Sequence, residues 1–126
     1  MNYSKLTEYI LFWYDSNTRE MPWRDENDPY KIWLSEIMLQ QTQVTTVRGY
    51  YVRWLKKFPT IRDVANADLD QLLKMWEGLG YYSRVRNFHK ACKTLKENNY
   101  KVPNDIKEFQ SLSGVGPYIA SAVQSI

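Results

Sequence analysis

Leu112-Ser113-Gly114-Val115-Gly116-Pro117-Tyr118 decides how the rest of this chain is read. Phe109 and Leu112 end a short packing segment before it, and Ile119, Ala122, Val123 and Ile126 recur at helical spacing after it. The spacing therefore predicts a helix, a tight hairpin and a second helix over about 106–126. Two glycines leave the hairpin backbone open to close approach, and the free N–H groups at the start of the second helix favour an anion. A phosphate is the natural occupant, although a glycine-capped helix–helix connection uses the same letters.

Working outward, helical periodicity dominates and no repeat or low-complexity segment interrupts it, so an all-α fold is expected. Leu6, Tyr9, Ile10 and Trp13 make a first stripe, before a charged loop from about Arg19 to Pro29. Tyr30, Trp33, Leu34, Ile37 and Met38 make a second. A third helix is predicted from about Gln43 to Phe58, stopped by Pro59, and a short one follows Thr60, where Asp63 completes a capping-box pattern. Leu69, Leu72, Leu73 and Trp76 share one face of a fifth, closed by Gly78 and Gly80. A basic helix from about Tyr82 to Asn98 comes next, and Pro103 with Asn104 or Asp105 opens the helix that leads into the hairpin. Ser121 to Ile126 carry no stop signal, so the chain is read as ending inside a helix, a truncated piece.

With 126 residues, 44% hydrophobic and 15% aromatic, the chain can bury a core of one domain. No apolar run reaches the length of a membrane span, and the first residues lack the basic-then-apolar order of a secretory signal. The expected location is cytoplasmic in a cell without a nucleus, and nuclear or organellar otherwise. One cysteine, Cys92, excludes an internal disulfide or a multi-thiolate metal site; its spacing with Val85, Phe88 and Leu95 makes it a core filler. The net charge of +3 is too small to argue for a polyanionic partner, so distribution decides. Arg84, Arg86, Lys90, Lys93 and Lys96 crowd the basic helix against Glu97 alone, a balance that suits a phosphate backbone and equally a solvated helix face.

Between Lys31 and Arg48 lie sixteen residues, and Glu36 is the only charged one. A helical wheel puts Tyr30, Trp33, Leu34, Ile37 and Met38 on one face and Ile32 and Leu39 beside Glu36 on the other. A carboxylate on a helix apolar nearly all round loses hydration, which raises its pKa and makes it a proton donor near neutral pH. An ordinary glutamate paired with a base or pointing to solvent is the alternative. Gln40, Gln41, Thr42 and Gln43 follow, uncharged groups that can pair with base edges or fill the space of an extruded base, or simply end a helix. Gly78-Leu79-Gly80-Tyr81-Tyr82 combines a flexible backbone, one apolar wedge and two stacking rings, features that unstack a duplex but also build a glycine-capped turn with core aromatics.

Met21-Pro22-Trp23-Arg24, Ser35-Glu36-Ile37-Met38-Leu39-Gln40-Gln41-Thr42-Gln43-Val44, Gly78-Leu79-Gly80-Tyr81-Tyr82-Ser83-Arg84 and the hairpin stand in one order. Together they resemble the adenine-specific mismatch DNA glycosylases (MutY) of the helix-hairpin-helix DNA glycosylase superfamily, from about Leu11 to the end. The resemblance implies hydrolysis of the N-glycosidic bond of adenine mispaired with 8-oxoguanine or guanine. It makes Glu36 the acid that protonates the adenine ring nitrogen, with Trp23 and Arg24 bordering the extruded base. Gln41 and Thr42 then occupy the opened duplex near 8-oxoguanine, Tyr81 is the ring wedged beside that lesion, and Leu79 lies near it. Gly114, Val115 and Gly116 present backbone N–H groups to phosphate, with a metal ion at the hairpin backbone held by main-chain carbonyls. Endonuclease III-like relatives carry a Schiff-base lysine where this chain has Tyr118, so a monofunctional enzyme is implied, Tyr118 ordering the site.

The same resemblance assigns residues 1–20 to an N-terminal helix that belongs with an iron–sulfur domain, and 21–126 to a six-helix barrel domain. The family's catalytic aspartate and the four cysteines of its 4Fe-4S cluster would lie beyond Ile126, so cluster ligands are absent from this chain and the isolated piece is expected to be inactive. The expected partner is double-stranded DNA with an A:8-oxoguanine or A:G mismatch, with no membrane. The full-length family acts as a monomer, while a bared Leu6, Ile10 and Trp13 stripe would let the piece self-associate. A non-catalytic helix-hairpin-helix DNA-binding module and an endonuclease III-like or thymine-mismatch glycosylase are the competing readings.

Overall fold

The computed structural model describes residues 27–40 and 42–124, and among these Asp28 starts the first helix. Its carboxylate accepts the Tyr30 backbone N–H at 3.0 Å, and Pro29 fills the first helical position, where an N–H has no partner to lose. Helix α1 then runs Pro29–Leu39, followed by α2 (Val44–Lys57), α3 (Ile61–Asn66), α4 (Leu69–Met75), α5 (Ser83–Thr94), a 3-10 turn (Leu95–Asn98), α6 (Ile106–Gln110) and α7 (Pro117–Gln124). All the regular structure of the described residues is helical, as the periodicity predicts. The Thr60–Asp63 capping box forms with both reciprocal bonds. The basic helix ends four residues early, its last turn tightening into the 3-10 form before left-handed Asn99.

Two helices make the middle of the molecule. α1 packs against α2, α5 and α7, and α5 packs against α3, α4 and α1. The predicted α1 face is buried in full: Tyr30, Trp33, Leu34, Ile37 and Met38. Rings dominate what it meets. Trp33 takes Phe88 and Phe109 edge-on, with centroids 4.7 and 5.1 Å away, and Tyr30 stacks on Phe88. On α2, Trp54 packs among Phe58, Trp76 and Phe88, and its indole N–H donates at 3.0 Å to the Tyr30 hydroxyl, which donates onward to the Phe58 carbonyl. The polar tips of Trp54 and Tyr30 therefore satisfy one another and the Phe58 carbonyl, which offsets the cost of burying them in so aromatic a core.

α5 is held as firmly. Val85, Phe88, Ala91, Cys92 and Leu95 are buried, and burial pushes the Cys92 thiol far up, leaving it the inert core filler expected. His89, also buried, donates from Nε2 to the Ala67 carbonyl at 2.9 Å, and desolvation lowers its pKa, favouring the neutral ring. Between α4 and α5 the chain turns through Gly78, whose φ of +98° excludes most side chains. A Cβ there would also come within 2.2 Å of the Tyr50 hydroxyl, which donates to Glu77 O at 2.7 Å.

Candidate active site and DNA-facing loops

Glu36 lies off the buried face of α1, flanked by partly buried Ile32 and Leu39. Desolvation raises its pKa, and a hydrogen bond from the Tyr118 hydroxyl partly offsets that rise by favouring the anion. Tyr118 is the second residue of α7 and remains 47% exposed, so the hairpin carries a phenol onto the acid at an open surface. The contact follows from the fold: α7 packs along α1, and Ile119, Ala120 and Val123 bury the opposite side of α7.

The hairpin is fixed from two sides. Val115 is buried in the core and its N–H donates to Leu112 O at 3.2 Å. Ser113 Oγ donates to Asn87 Oδ1 of α5 at 2.9 Å. Gly114 has φ +76°, and a Cβ on it would approach Asn87 Cβ to 2.6 Å, so glycine is required on both counts. Of the three hairpin N–H groups that the resemblance assigns to phosphate, that of Val115 closes the turn onto Leu112 O, and its side chain is an anchor.

The loop from Gly78 to Tyr82 turns through three residues of positive φ, Gly78, Gly80 and Tyr81, the last with φ +49°. A bulky residue held there is strained, a feature that concentrates at functional sites. Its ring is 59% exposed, and Tyr82 is exposed too, whereas Leu79 is only 6% exposed and packs into the core. The aromatic members of this loop are thus presented to solvent, and its apolar member is the base on which they stand.

Arg84 joins these parts, a role the sequence reading missed when it grouped the residue with a phosphate-facing basic stripe. Its Nη1 donates to Ile37 O at 2.6 Å, to Met38 O at 3.1 Å and to Gln40 O. These are carbonyls at the C-terminal end of α1, which the helix itself cannot satisfy, and a cation there also suits the helix dipole. Nη2 donates to Thr42 Oγ1 at 3.3 Å, Leu79 O at 3.4 Å and Gly80 O at 3.3 Å. The signal was present: on α5 Arg84 is in phase with buried Phe88, Ala91 and Leu95, while Arg86, Lys90 and Lys93 share the exposed face.

Thr42 and Tyr81 therefore gather at one end of α1, about one helical turn beyond Glu36 and Tyr118. A cleft of about 210 Å³ opens beside them between α1, α5 and the hairpin, with Gln40, Ser83, Asn87 and Ser113 on its rim. Glu36 does not line it. Trp23, Arg24, Gln41 and the Leu6, Ile10 and Trp13 stripe lie outside the described residues. The chain does not fit an iron–sulfur cluster: its one thiol is buried in α5, and no group of three metal-ligating side chains occurs among the described residues.

Residues 34–122 match the HhH-GPD superfamily of base excision DNA repair proteins. The chain is 47% identical over 118 residues to an adenine DNA glycosylase of Buchnera aphidicola, which covers 92% of this chain and 34% of that protein. It is 45% identical over 127 residues to the human adenine DNA glycosylase, covering 93% of this chain and 23% of that one. The chain thus spans about a quarter to a third of the length of these curated relatives. Among solved structures, a thermostable thymine-DNA glycosylase superposes with TM-score 0.77 at 25% identity, over 96% of this chain and 57% of that one. An endonuclease III trapped on DNA superposes with TM-score 0.74 at 24% identity, over the whole of this chain and 61% of that one, a likeness of fold. A hairpin locked to the core, a carboxyl of raised pKa beside it and these relatives agree: the chain belongs to the HhH-GPD superfamily of base excision DNA repair proteins.

Proposed function

We propose that this domain supplies the acid and the DNA-facing loops of an adenine DNA glycosylase, acting on adenine opposite 8-oxoguanine or guanine. The observation that carries the reading is Glu36, desolvated on α1 and touched by the Tyr118 hydroxyl. In the proposed step the proton of Glu36 passes to a ring nitrogen of the extruded adenine. The bond from the sugar C1′ to the base breaks with its electron pair going to the purine. Water then adds at C1′ and its proton passes to solvent, from which the Glu36 carboxylate is reprotonated, completing hydrolysis. Charge development at the sugar is that of an oxocarbenium-like state, for which an acid and an anionic partner are the general requirement. Once Glu36 is an anion, the phenol that donates to it stabilises the product side.

Thr42 and Tyr81 are proposed to face the base opposite the adenine, with Leu79 beneath Tyr81 and Gln41 beside Thr42. Trp23 and Arg24 are proposed to border the adenine. Gly114 and Gly116, together with the first turn of α7, are the proposed phosphate donors, and any hairpin metal ion would rest on main-chain carbonyls. Tyr118 has a phenol where Schiff-base chemistry needs an amine, so strand cleavage should not accompany base release. The test is single-turnover adenine release by the full-length protein from an A:8-oxoguanine duplex, with the strand examined before and after alkali. Release with cleavage only after alkali is expected; DNA binding with no base released would leave only a DNA-binding module.

Two further outcomes follow from the geometry. Tyr118→Phe removes the hydrogen bond that holds the Glu36 pKa down, so that pKa should rise further. Excision needs the protonated acid and falls as pH climbs through that pKa, so the falling limb of the single-turnover rate should move to higher pH. A limb that stays put, or moves down, would detach Tyr118 from the acid. Gly114→Ala should weaken DNA binding about tenfold by anisotropy. It places alanine at positive φ, a cost of roughly 1–2 kcal/mol, and pushes the turn away from Asn87.

A further inference from the structure

We propose that Arg84 is a positioning residue through which the base opposite the adenine controls the placement of the acid, a role that rests on the adenine glycosylase reading above. The two ends of one guanidinium divide the work. Nη1 holds the Ile37 and Met38 carbonyls, immediately following Glu36 on α1, and that of Gln40, which caps the helix, while Nη2 holds Thr42 Oγ1 and the Leu79 and Gly80 carbonyls. The loop side is reinforced by Trp76, whose indole N–H donates to the same Gly80 carbonyl at 3.0 Å. The guanidinium carbon lies 5.2 Å from the Trp76 ring centroid and 5.6 Å from that of Tyr81, so the exposed ring of the loop is seated on the group that caps the acid's helix.

Only a planar, forked cation can make both sets of bonds at once; an ammonium is a point charge that must choose. A loop pressed into a new position by the wrong opposite base pulls Nη2, and the same rigid plane carries the displacement to the Ile37 and Met38 peptides. The coupling needs no distant relay, because one side chain touches both ends. Its expected signature is loss of discrimination rather than loss of activity as such.

The experiment compares the full-length protein with Arg84→Lys in single-turnover adenine release from A:8-oxoguanine and A:G duplexes, with thermal unfolding and the pH profile recorded on the same samples. The ratio of the two rates is expected to fall about tenfold, within the ordinary range of coupling between sites. The falling limb of the pH profile should stay where it is in the unaltered protein, because the Tyr118 contact with Glu36 does not pass through Arg84. Both rates falling by a common factor, or an unchanged ratio, overturns the proposal and leaves Arg84 a structural cap. If Arg84→Lys unfolds, Gly80→Ala carries the test. Its Cβ meets nothing within 4 Å, but its φ of +76° strains alanine and shifts the carbonyl that Arg84 holds. The ratio should fall in that variant too, and an unchanged ratio there overturns the proposal. If the unaltered protein releases no adenine from either duplex, the glycosylase reading itself fails, an outcome visible before any variant is measured.

Discussion

Glu36→Gln in the full-length protein should release adenine from an A:8-oxoguanine duplex about 10²- to 10⁴-fold more slowly, the usual contribution of a positioned general acid. Glutamine keeps the shape and polarity of the side chain, and its amide oxygen can still accept from the Tyr118 hydroxyl. What it loses is a proton acidic enough to transfer. Because Glu36 stands off the buried face of α1, the exchange leaves Tyr30, Trp33, Leu34, Ile37 and Met38 packed as before. Duplex affinity and unfolding temperature should therefore change little, which separates chemistry from binding and folding. The pH profile gives a second check. Desolvation raises the Glu36 pKa, so the unaltered protein keeps its acid protonated further towards neutral pH and loses rate above it. The variant's residual rate should lack that limb. Unimpaired release by Glu36→Gln would remove Glu36 from the acid role.

Trp54→Ala should cost about 3–5 kcal/mol of folding stability, measured by urea denaturation, a large share of the roughly 5–15 kcal/mol typical of a domain. Trp54 has no solvent exposure, and deleting its ring strands Phe58, Trp76 and Phe88 around a void. It also removes the donor to the buried Tyr30 hydroxyl. Trp54→Phe separates the two effects: it refills most of the volume and loses only the donor, so a cost of about 1 kcal/mol is expected. Equal costs for the two variants would mean that the hydrogen bond, rather than packing, carries the site.

The fold was legible where one pattern determined one answer. The α1 stripe, the Thr60 capping box, the Cys92 core position and the two glycine-marked turns each follow from spacing and residue type, and the described helices reproduce them. Glu36 was legible for the same reason, since a lone charge among sixteen residues has few environments available. What escaped was orientation within groups of like residues. Arg84 was counted with four other basic side chains, although its wheel position aligns it with Phe88 and Ala91 and turns it inward. Leu79, an apolar wedge by sequence, instead packs into the core while Tyr81 and Tyr82 stand in solvent, a division that only tertiary packing reveals. Val115 was grouped with its flanking glycines, and only tertiary packing shows its side chain in the core and its N–H closing the turn.

That inward valine has a mechanical meaning. A turn pinned by its middle residue, and by Asn87 at its shoulder, cannot bend on its own when a strand tugs at it; it can move only with the two central helices. On the proposed reading, tension from a bent duplex would pass through Val115 and Asn87 into the core rather than stop at the turn. Under the proposed glycosylase function, the grip on a DNA backbone and the seat of the acid would shift together, keeping the proton aimed while the nucleic acid strains against it.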